Sequence, residues 1–278
     1  MLWMSLVKPL HFGGIMSRKA LFFDIDGTLF SEELKIVPES AKKAVIQTRK
    51  KGNLVFINSG RALSCLGPVK GIVESDGYLC GCGIYLEVGG EVVYSHRIPH
   101  ERGLEIKKAI VDYGFDGILE GIESCYFQKG DSRMEMVRRL KKSLEKEGNL
   151  SPYGWEEDCY EFDKFCLIAD NHSNREGLFS FLESDMQIID RGDNFYECVP
   201  KGHSKATAIE MIMKKFGIAI EDVYVFGDSS NDLDMFRYAQ NAVLMEKHDK
   251  VLEPYATFLT KTVEEDGIEY AMKNLGLL

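Results

Sequence analysis

Two strand–helix–strand segments, one near each end, narrow the possible folds of these 278 residues more than any other feature. Residues 19–23 form a short apolar run typical of a buried strand. A helix is predicted over 38–51, with Pro38 in its first turn and Gly52 at its end. The sequence NLVFIN at 53–58 then predicts a second buried strand. This order indicates a right-handed parallel crossover, the unit of a doubly wound sheet.

The same pattern returns near the C-terminus, where residues 204–216 are predicted to be helical and VYVF at 223–226 and NAVLM around Val243 to be strands. Between the two halves the pattern changes. Residues 84–98 alternate around Gly89-Gly90, which is typical of an antiparallel hairpin. Further helices are predicted over 133–147 and 174–183, and further strands over 162–169 and 195–199.

We therefore predict an α/β protein with a doubly wound parallel-sheet core and an inserted α+β domain. The predicted boundaries are residues 18–83 and 201–278 for the core and 84–200 for the insertion. Residues 1–17 are predicted to be a disordered extension.

Composition and charge exclude several classes of protein. The net charge of -10 would repel a nucleic-acid backbone or an anionic membrane surface, so neither is an expected partner. Seven cysteines without a CxxC pair predict neither a disulfide framework nor a zinc site, and they favour a reducing, cytoplasmic location. The first residues do not have the features of a signal peptide.

Acidic side chains follow two of the predicted strands. DIDGTL places Asp24 and Asp26 after the first strand, and GDSSND places Asp228 and Asp232 after VYVF. Open α/β sheets bind ligands beyond the carboxyl ends of their strands. Each motif alone could be a polar turn, because Asp, Gly, Thr and Ser are common turn residues. Together they indicate metal binding or acid–base chemistry.

Two further residues extend this set. Ser59 follows the strand NLVFIN in INSGR and offers a hydroxyl group for an oxyanion. Lys205 lies at the start of a predicted helix, where the helix dipole also attracts anions. Taken singly, Ser59 is a plausible turn residue and Lys205 a solvated lysine. The occurrence of all four segments in one chain is much less probable by chance than the occurrence of any one of them.

These four segments, in this order, resemble the haloacid dehalogenase superfamily. The long insertion between Ser59 and Lys205 resembles the type-IIB cap of its Cof-like phosphatases. The resemblance extends from Arg18 to about Gly267. It implies a lid that closes over the active site, excludes water and selects the substrate.

The resemblance also implies a role for each motif residue. Asp24 would be the nucleophile that forms an aspartyl-phosphate, and Asp26 the general acid and base. Mg2+ would be bound by Asp24, the backbone carbonyl of Asp26, Asp228 and, as an additional or outer ligand, Asp232. The phosphoryl oxygens would be held by the following groups: Ser59 with Gly60, Lys205, Asn231 and the backbone N–H groups from Asp26 to Thr28.

The residues that select the substrate are expected in turns of the insertion, near Cys125 and Tyr126 or within 193–196. The tripeptide Arg191-Gly192-Asp193 is interpreted as a turn between strands.

We predict from this resemblance a Mg2+-dependent phosphatase of small phosphorylated metabolites, with sugar phosphates first and phosphorylated cofactors next. Two alternatives stay open: a phosphomutase, which would need a bisphosphate activator, and a noncatalytic protein that binds a phosphorylated metabolite. The sequence does not indicate the oligomeric state.

Overall fold

The computed structural model describes residues 17–67 and 70–278, so nearly all of the predicted extension, residues 1–17, lies outside the described residues. The strands are β1 Ala20–Phe23, β2 Leu54–Asn58, β3 Gly77–Cys80, β4 Tyr85–Val88, β5 Glu91–Ser95, β6 Asp116–Glu120, β7 Cys125–Tyr126, β8 Lys164–Ile168, β9 Met186–Asp190, β10 Phe195–Pro200, β11 Val223–Gly227, β12 Asn241–Leu244 and β13 Phe258–Leu259. The α-helices are α1 Glu39–Lys50, α2 His100–Asp112, α3 Glu135–Glu147, α4 Arg175–Leu182, α5 Lys205–Phe216, α6 Leu233–Tyr238 and α7 Gly267–Asn274.

The first sheet has eight strands in the order β13-β12-β11-β1-β2-β3-β4-β5. Every pairing from β13 to β3 is parallel, and the last two pairings, which add β4 and β5, are antiparallel. Strands β1, β2 and β11 are therefore neighbours that run in the same direction, and their carboxyl ends meet at one edge of the sheet. The predicted doubly wound parallel core is confirmed.

Strand β1 shows why this sheet is covered on both faces. Its residues alternate between two hydrophobic clusters: Leu21 and Phe23 join the cluster that includes α1 and α7, whereas Ala20 and Phe22 join the one that includes α5 and α6. Successive side chains of a strand point to opposite faces, so an uninterrupted apolar run is what a strand between two helical layers requires.

The second sheet has five antiparallel strands in the order β7-β6-β8-β10-β9. One face packs on α2 and α4 around Phe165 and Leu167. The other face carries Ile118, Cys166 and Ile168, and α3 packs on part of it. This is the predicted α+β insertion. Helix α2 was not predicted from the sequence.

The predicted boundary at residue 84 placed the hairpin β4–β5 in the insertion. In the structure the hairpin belongs to the eight-stranded sheet of the core. Strand β4 pairs with β3 along Gly77 to Cys80, so the hairpin extends the first sheet and not the second. We propose that the insertion begins after Ser95. In the described residues, no helix has both the length and the apolar composition needed to cross a membrane.

Candidate active site

Four segments converge at the carboxyl edge of the first sheet. Asp24 follows β1, Ser59 follows β2, Asp228 follows β11, and Lys205 begins α5. Asp24 is 4% exposed and Lys205 is 1% exposed. The parallel order β11-β1-β2 accounts for this meeting, because the loops that leave neighbouring parallel strands lie side by side.

Lys205 is a buried cation held between carboxylates. Its Nζ lies 2.7 Å from Oδ1 of Asp24 and 2.5 Å from Oδ1 of Asp232, and it is 3.4 Å from Oδ1 of Asn231. Burial lowers the pKa of Lys205, but Asp232 and Asp24 raise it more, so the net shift is upward and the amine stays charged. A direct bond to a phosphate would require Lys205 to exchange one of these three partners.

The start of α5 fixes the position of Lys205. Ser204 is the N-cap and forms a capping box with Thr207: Ser204 Oγ accepts from the Thr207 N–H at 3.3 Å, and Thr207 Oγ1 accepts from the Ser204 N–H at 2.9 Å. The buried Asn58 donates from Nδ2 to the Lys205 carbonyl at 3.1 Å. The helix thus begins at the residue that reaches Asp24.

Asp24, Asp228 and Asp232 form a compact acidic cluster, in which one oxygen of each carboxylate lies within 4.8 Å of the others. Burial raises the pKa of Asp24 to about 7, against the opposing effect of Lys205 and with a further rise from Asp232. Burial also raises the pKa of Asp228 to about 8, with Asp24 and Asp232 adding to it. Such crowding of hard oxygen donors fits a divalent cation such as Mg2+.

Asp232 already has partners for both oxygens. While Oδ1 accepts from Lys205, Oδ2 accepts from the backbone N–H groups of Asp228 at 2.9 Å and Ser229 at 3.1 Å. A Cβ on Gly227 would lie 2.5 Å from that Oδ2, so the turn needs glycine here. These contacts favour a role for Asp232 in orienting Asp228 and Lys205. They make direct binding of the metal by Asp232 the less favoured role.

Thr28 supports Asp228. Its hydroxyl donates to Oδ1 of Asp228 at 2.7 Å, so this group is not directed at a phosphate. Gly27, at φ +75°, lets the loop pass close to Asp228, because a Cβ there would lie 2.5 Å from Oδ2. Two of the backbone N–H groups predicted to hold the phosphate also have partners, because Gly27 donates to the Phe30 carbonyl and Thr28 to the Ile25 carbonyl.

Asp26 forms a bidentate ion pair with Arg61, which the sequence analysis did not assign to the site. Arg61 Nε lies 2.8 Å from Oδ2 and Nη2 lies 2.6 Å from Oδ1. Both side chains are about one-third exposed. The only sequence signal for Arg61 is its place two residues after Ser59, and that position does not indicate which carboxylate it binds.

Asp24 and Asp26 line a cavity of about 170 Å3 together with Ser59, Gly60, Arg61, Ser229 and Asn231. Ser59 Oγ accepts from the Arg61 N–H at 3.2 Å. Asn231 Oδ1 accepts from Ser229 Oγ at 2.9 Å, and its Nδ2 would lie 3.1 Å from a Cβ on Gly60. The predicted phosphate-binding side chains of Ser59 and Asn231 thus lie beside Asp24, whereas their role stays a prediction.

The opposite wall of this cavity comes from the second sheet and from the turn after β9. We call its members the roof residues: Glu120, Lys164, Cys166, Arg191, Phe195 and Glu197. Among the predicted selectivity positions in the described chain, Phe195 is a roof residue, whereas Cys125 is buried and Tyr126 lines another cavity. The charged roof residues were not predicted, because each depends on strand pairing across the insertion.

Known proteins that are similar to this chain identify its family. The family model described as haloacid dehalogenase-like hydrolase matches residues 21–272. The Bacillus subtilis protein YkrA, provisionally named a phosphatase, is 31% identical over 267 residues, which cover 95% of this chain and 100% of YkrA. The 5-amino-6-(5-phospho-D-ribitylamino)uracil phosphatase YwtE of B. subtilis is 24% identical over 92% of this chain and 98% of its own length.

Among solved structures, that of the subclass IIB sugar phosphatase BT4131 of the haloacid dehalogenase superfamily is similar, with a TM-score of 0.77 and 30% identity. The match covers 94% of this chain and 100% of that one.

Proposed function

This chain belongs to the haloacid dehalogenase-like hydrolases and is a phosphoric monoester hydrolase, and from that premise we propose that it cleaves small phosphate monoesters with Mg2+ and with Asp24 as nucleophile. The observation that carries this proposal is the contact of Lys205 with Asp24 at one end of a cavity, beside Asp228. Phosphorylated sugars and cofactors are the proposed substrates, because YwtE and BT4131 are named for such esters.

The acidic cluster suits the proposed metal. Asp24, Asp228 and the backbone carbonyl of Asp26 would hold Mg2+, with Asp232 behind them. Two unit charges 4 Å apart interact by roughly 4 kcal/mol at an effective dielectric of 20, so an uncompensated Asp24 would repel a phosphate dianion. The cation supplies the charge that cancels this repulsion.

In the first proposed step, a carboxylate oxygen of Asp24 attacks phosphorus and the bond from phosphorus to the ester oxygen breaks. Asp26 donates a proton to the departing alcohol, because an alkoxide leaves poorly without one. In the second step Asp26 removes a proton from water, which attacks the aspartyl-phosphate and releases inorganic phosphate. Since Arg61 holds both oxygens of Asp26, one of these bonds must be exchanged for the bond to the leaving oxygen.

The remaining site residues would hold the phosphoryl oxygens. Ser59, Gly60 and Asn231 lie on the cavity wall beside Asp24, and Lys205 keeps a positive charge next to the attacking carboxylate. The backbone N–H of Asp26 would add a donor from the turn, whereas those of Gly27 and Thr28 already donate to the carbonyls of Phe30 and Ile25. Preorganised donors of this kind lower the barrier by stabilising charge that develops in the transition state.

The test is phosphate release by the purified full-length protein, measured on 4-nitrophenyl phosphate and on a panel of sugar, nucleotide and cofactor phosphates. We expect turnover that EDTA abolishes and added Mg2+ restores, and we expect Asp24→Asn to reduce it to background while the melting temperature shows a folded protein. A phosphomutase would show turnover only with a bisphosphate activator. Absence of metal-dependent turnover on every ester would refute the proposal in favour of a noncatalytic binding protein.

A further inference from the structure

Two cysteine thiols meet where the insertion contacts the core. Cys65 ends the short 3-10 turn Leu63–Cys65 that follows β2, and Cys125 is the first residue of β7. Both cysteines are free, and their Sγ atoms lie 2.7 Å apart. Non-bonded heavy atoms pack about 3.5–4.0 Å apart, whereas the two sulfur atoms of a disulfide are about 2.05 Å apart. The thiols are therefore closer than a packing contact and near to bonding distance.

Hydrogen bonds fix the backbone on both sides of this thiol pair. On the core side, Ser64 Oγ donates to the Gly121 carbonyl of the insertion at 2.7 Å. On the other side, the N–H and the carbonyl of Cys125 both bond to the segment 149–151 that follows α3. The two cysteines are 60 residues apart in the sequence. They are neighbours only because the insertion lies against the core.

The pair is protected from oxidants in this arrangement. Cys125 is fully buried and Cys65 is almost so. Contact with Cys125, and then burial, raise the pKa of Cys65 well above its ordinary value, and Glu120 adds to the rise. The thiolate is the form that reacts with an oxidant. Oxidation therefore has to begin when the insertion has moved away from the core.

A metal site is the other use of two adjacent thiols. Cys65 Sγ is also 3.9 Å from Oε1 of Glu120. Within residues 17–67 and 70–278, however, the only group of three or more His, Cys, Asp or Glu side chains with ligand atoms within 4.8 Å of one another is Asp24, Asp228 and Asp232. Structural zinc takes four ligands. The thiol pair lacks the further ligands, so its geometry fits a disulfide better.

We propose that Cys65 and Cys125 are a reversible disulfide site that locks the insertion onto the core and stops turnover. The oxidant is a hydroperoxide. The Cys65 thiolate attacks one oxygen, the O–O bond breaks, the other oxygen leaves and takes a proton, and Cys65 becomes a sulfenic acid. After closure the Cys125 sulfur attacks that of Cys65, the S–O bond breaks, and the oxygen leaves as water with the thiol proton. Two thiols thus lose two electrons, which reduce the O–O bond.

A bond at this position would prevent a movement that turnover needs. The cavity between Asp24 and the roof residues has a volume of about 170 Å3, whereas pockets for small molecules are roughly 300–1,000 Å3. A phosphate ester can therefore enter with its alcohol only when the insertion moves away. A dithiol would reverse the lock by thiol–disulfide exchange. The effect on turnover rests on the proposed function, whereas the bond itself does not.

The experiment treats the Mg2+-loaded full-length protein with hydrogen peroxide, blocks the remaining thiols with iodoacetamide and analyses tryptic peptides by mass spectrometry without reduction. Trypsin releases residues 62–70 and 109–129, which contain Cys65 and Cys125 as their only cysteines. We expect these peptides to be linked. We also expect a higher melting temperature, because the bond constrains the unfolded chain, and a loss of phosphate release that dithiothreitol restores.

Two variants serve as controls for the same treatment. Cys65→Ser cannot form the bond, so its phosphate release should survive peroxide. Cys159→Ser removes an exposed cysteine, and it should lose phosphate release as the wild-type protein does. Equal loss in the wild-type protein and Cys65→Ser would overturn the lock, because another group would then be responsible.

The peptide analysis uses the wild-type protein alone, so it decides the matter even if Cys65→Ser does not fold. Unlinked Cys65 and Cys125 after peroxide would refute the disulfide site, and a linked protein with full phosphate release would refute the lock. Failure of the proposed function is distinguishable: the reduced wild-type protein would then release no phosphate, whereas the linked peptides and the melting temperature would still test the bond.

Discussion

Lys205 combines three properties that are rarely found together in a lysine: it is almost fully buried, it is charged, and it contacts two carboxylates. Removal of one partner from a buried ion pair leaves an uncompensated charge. In this site the removal would leave Asp24 and Asp232 facing each other without the amine.

We therefore expect Lys205→Met to lower the free energy of unfolding by about 3–5 kcal/mol and to reduce phosphate release to background. Urea unfolding and the phosphate assay measure the two effects. The matched control is Lys214→Met on the same helix, where the lysine is exposed and paired with Glu210. That change should leave the free energy of unfolding nearly unchanged, because an exposed ion pair contributes little to stability. A stable Lys205→Met protein would contradict the buried ion pair.

Asp26 offers a second test, which separates proton transfer from nucleophilic attack. An alkyl phosphate needs a proton on its leaving oxygen, whereas 4-nitrophenolate leaves without one. Asp26→Asn should lower the rate of alcohol release in a single turnover by about 10²- to 10⁴-fold for an alkyl phosphate and lower it much less for 4-nitrophenyl phosphate. Asp24→Asn should abolish both reactions. Equal losses with the two esters in Asp26→Asn would remove the general-acid role.

At the residue scale, the sequence predicted the meeting of Asp24, Asp228 and Lys205 because each lies next to a recognisable strand or helix end. Their chemical roles stay predictions. The partners Arg61 and Arg191 could not be predicted, because nothing local identifies which carboxylate an arginine will face. Arg191 in particular was interpreted as part of a chance turn, and its position on the cavity wall depends on β9 pairing with β10.

At the scale of elements, apolar runs predicted strands β1, β2 and β11 almost to the residue. Each is buried on both faces, so its pattern is set by the core alone. The hairpin β4–β5 was also predicted, but the sheet that it joins was not. Alternation and a Gly-Gly turn indicate a hairpin, but they do not indicate which strand the hairpin pairs with. Helix α2 was missed: its apolar side is interrupted by Gly103 and by Lys107, both buried.

Helix α5 is the element that positions Lys205, and its capping box allows a direct test. Ser204→Ala removes the side-chain acceptor for the Thr207 N–H and should lower the free energy of unfolding by about 1 kcal/mol. Ser204→Asn retains an acceptor at the N-cap and should cost clearly less. Urea unfolding of both variants measures the difference. Equal destabilisation by alanine and asparagine would show that the cap does not stabilise the helix.

For the whole molecule, the interval between Ser59 and Lys205 made an inserted unit predictable, since a parallel crossover needs only about a dozen residues. Its fold class is confirmed, but how it meets the core was not predictable. That contact rests on pairs remote in the sequence, such as Lys164 with the Gly60 carbonyl and Ser64 Oγ with the Gly121 carbonyl. A hydrophobic pattern carries no information on such polar pairs.

Asp163, in the segment between β7 and β8, links the stability of the whole protein to pH. Burial raises its pKa from an ordinary value of 3.8 to about 7; Glu161 adds to the rise and Arg97 opposes it. The folded state therefore holds a proton that the unfolded chain loses near pH 4. The stabilisation from this proton is fully present below pH 4 and is lost as pH rises through about 7.

Asp163→Asn cannot ionise, so it should match the wild-type protein at pH 4 and exceed its free energy of unfolding at pH 8 by up to about 4 kcal/mol. Urea unfolding at both pH values, with the variant compared to the wild-type protein at each, isolates the effect of this carboxyl. Asp112→Asn, which changes an exposed carboxylate on α2, is the control and should show the same difference at both pH values. If the Asp163→Asn difference were also independent of pH, the carboxyl would be ionised in the folded protein at pH 5, and its burial would have to be balanced by Arg97.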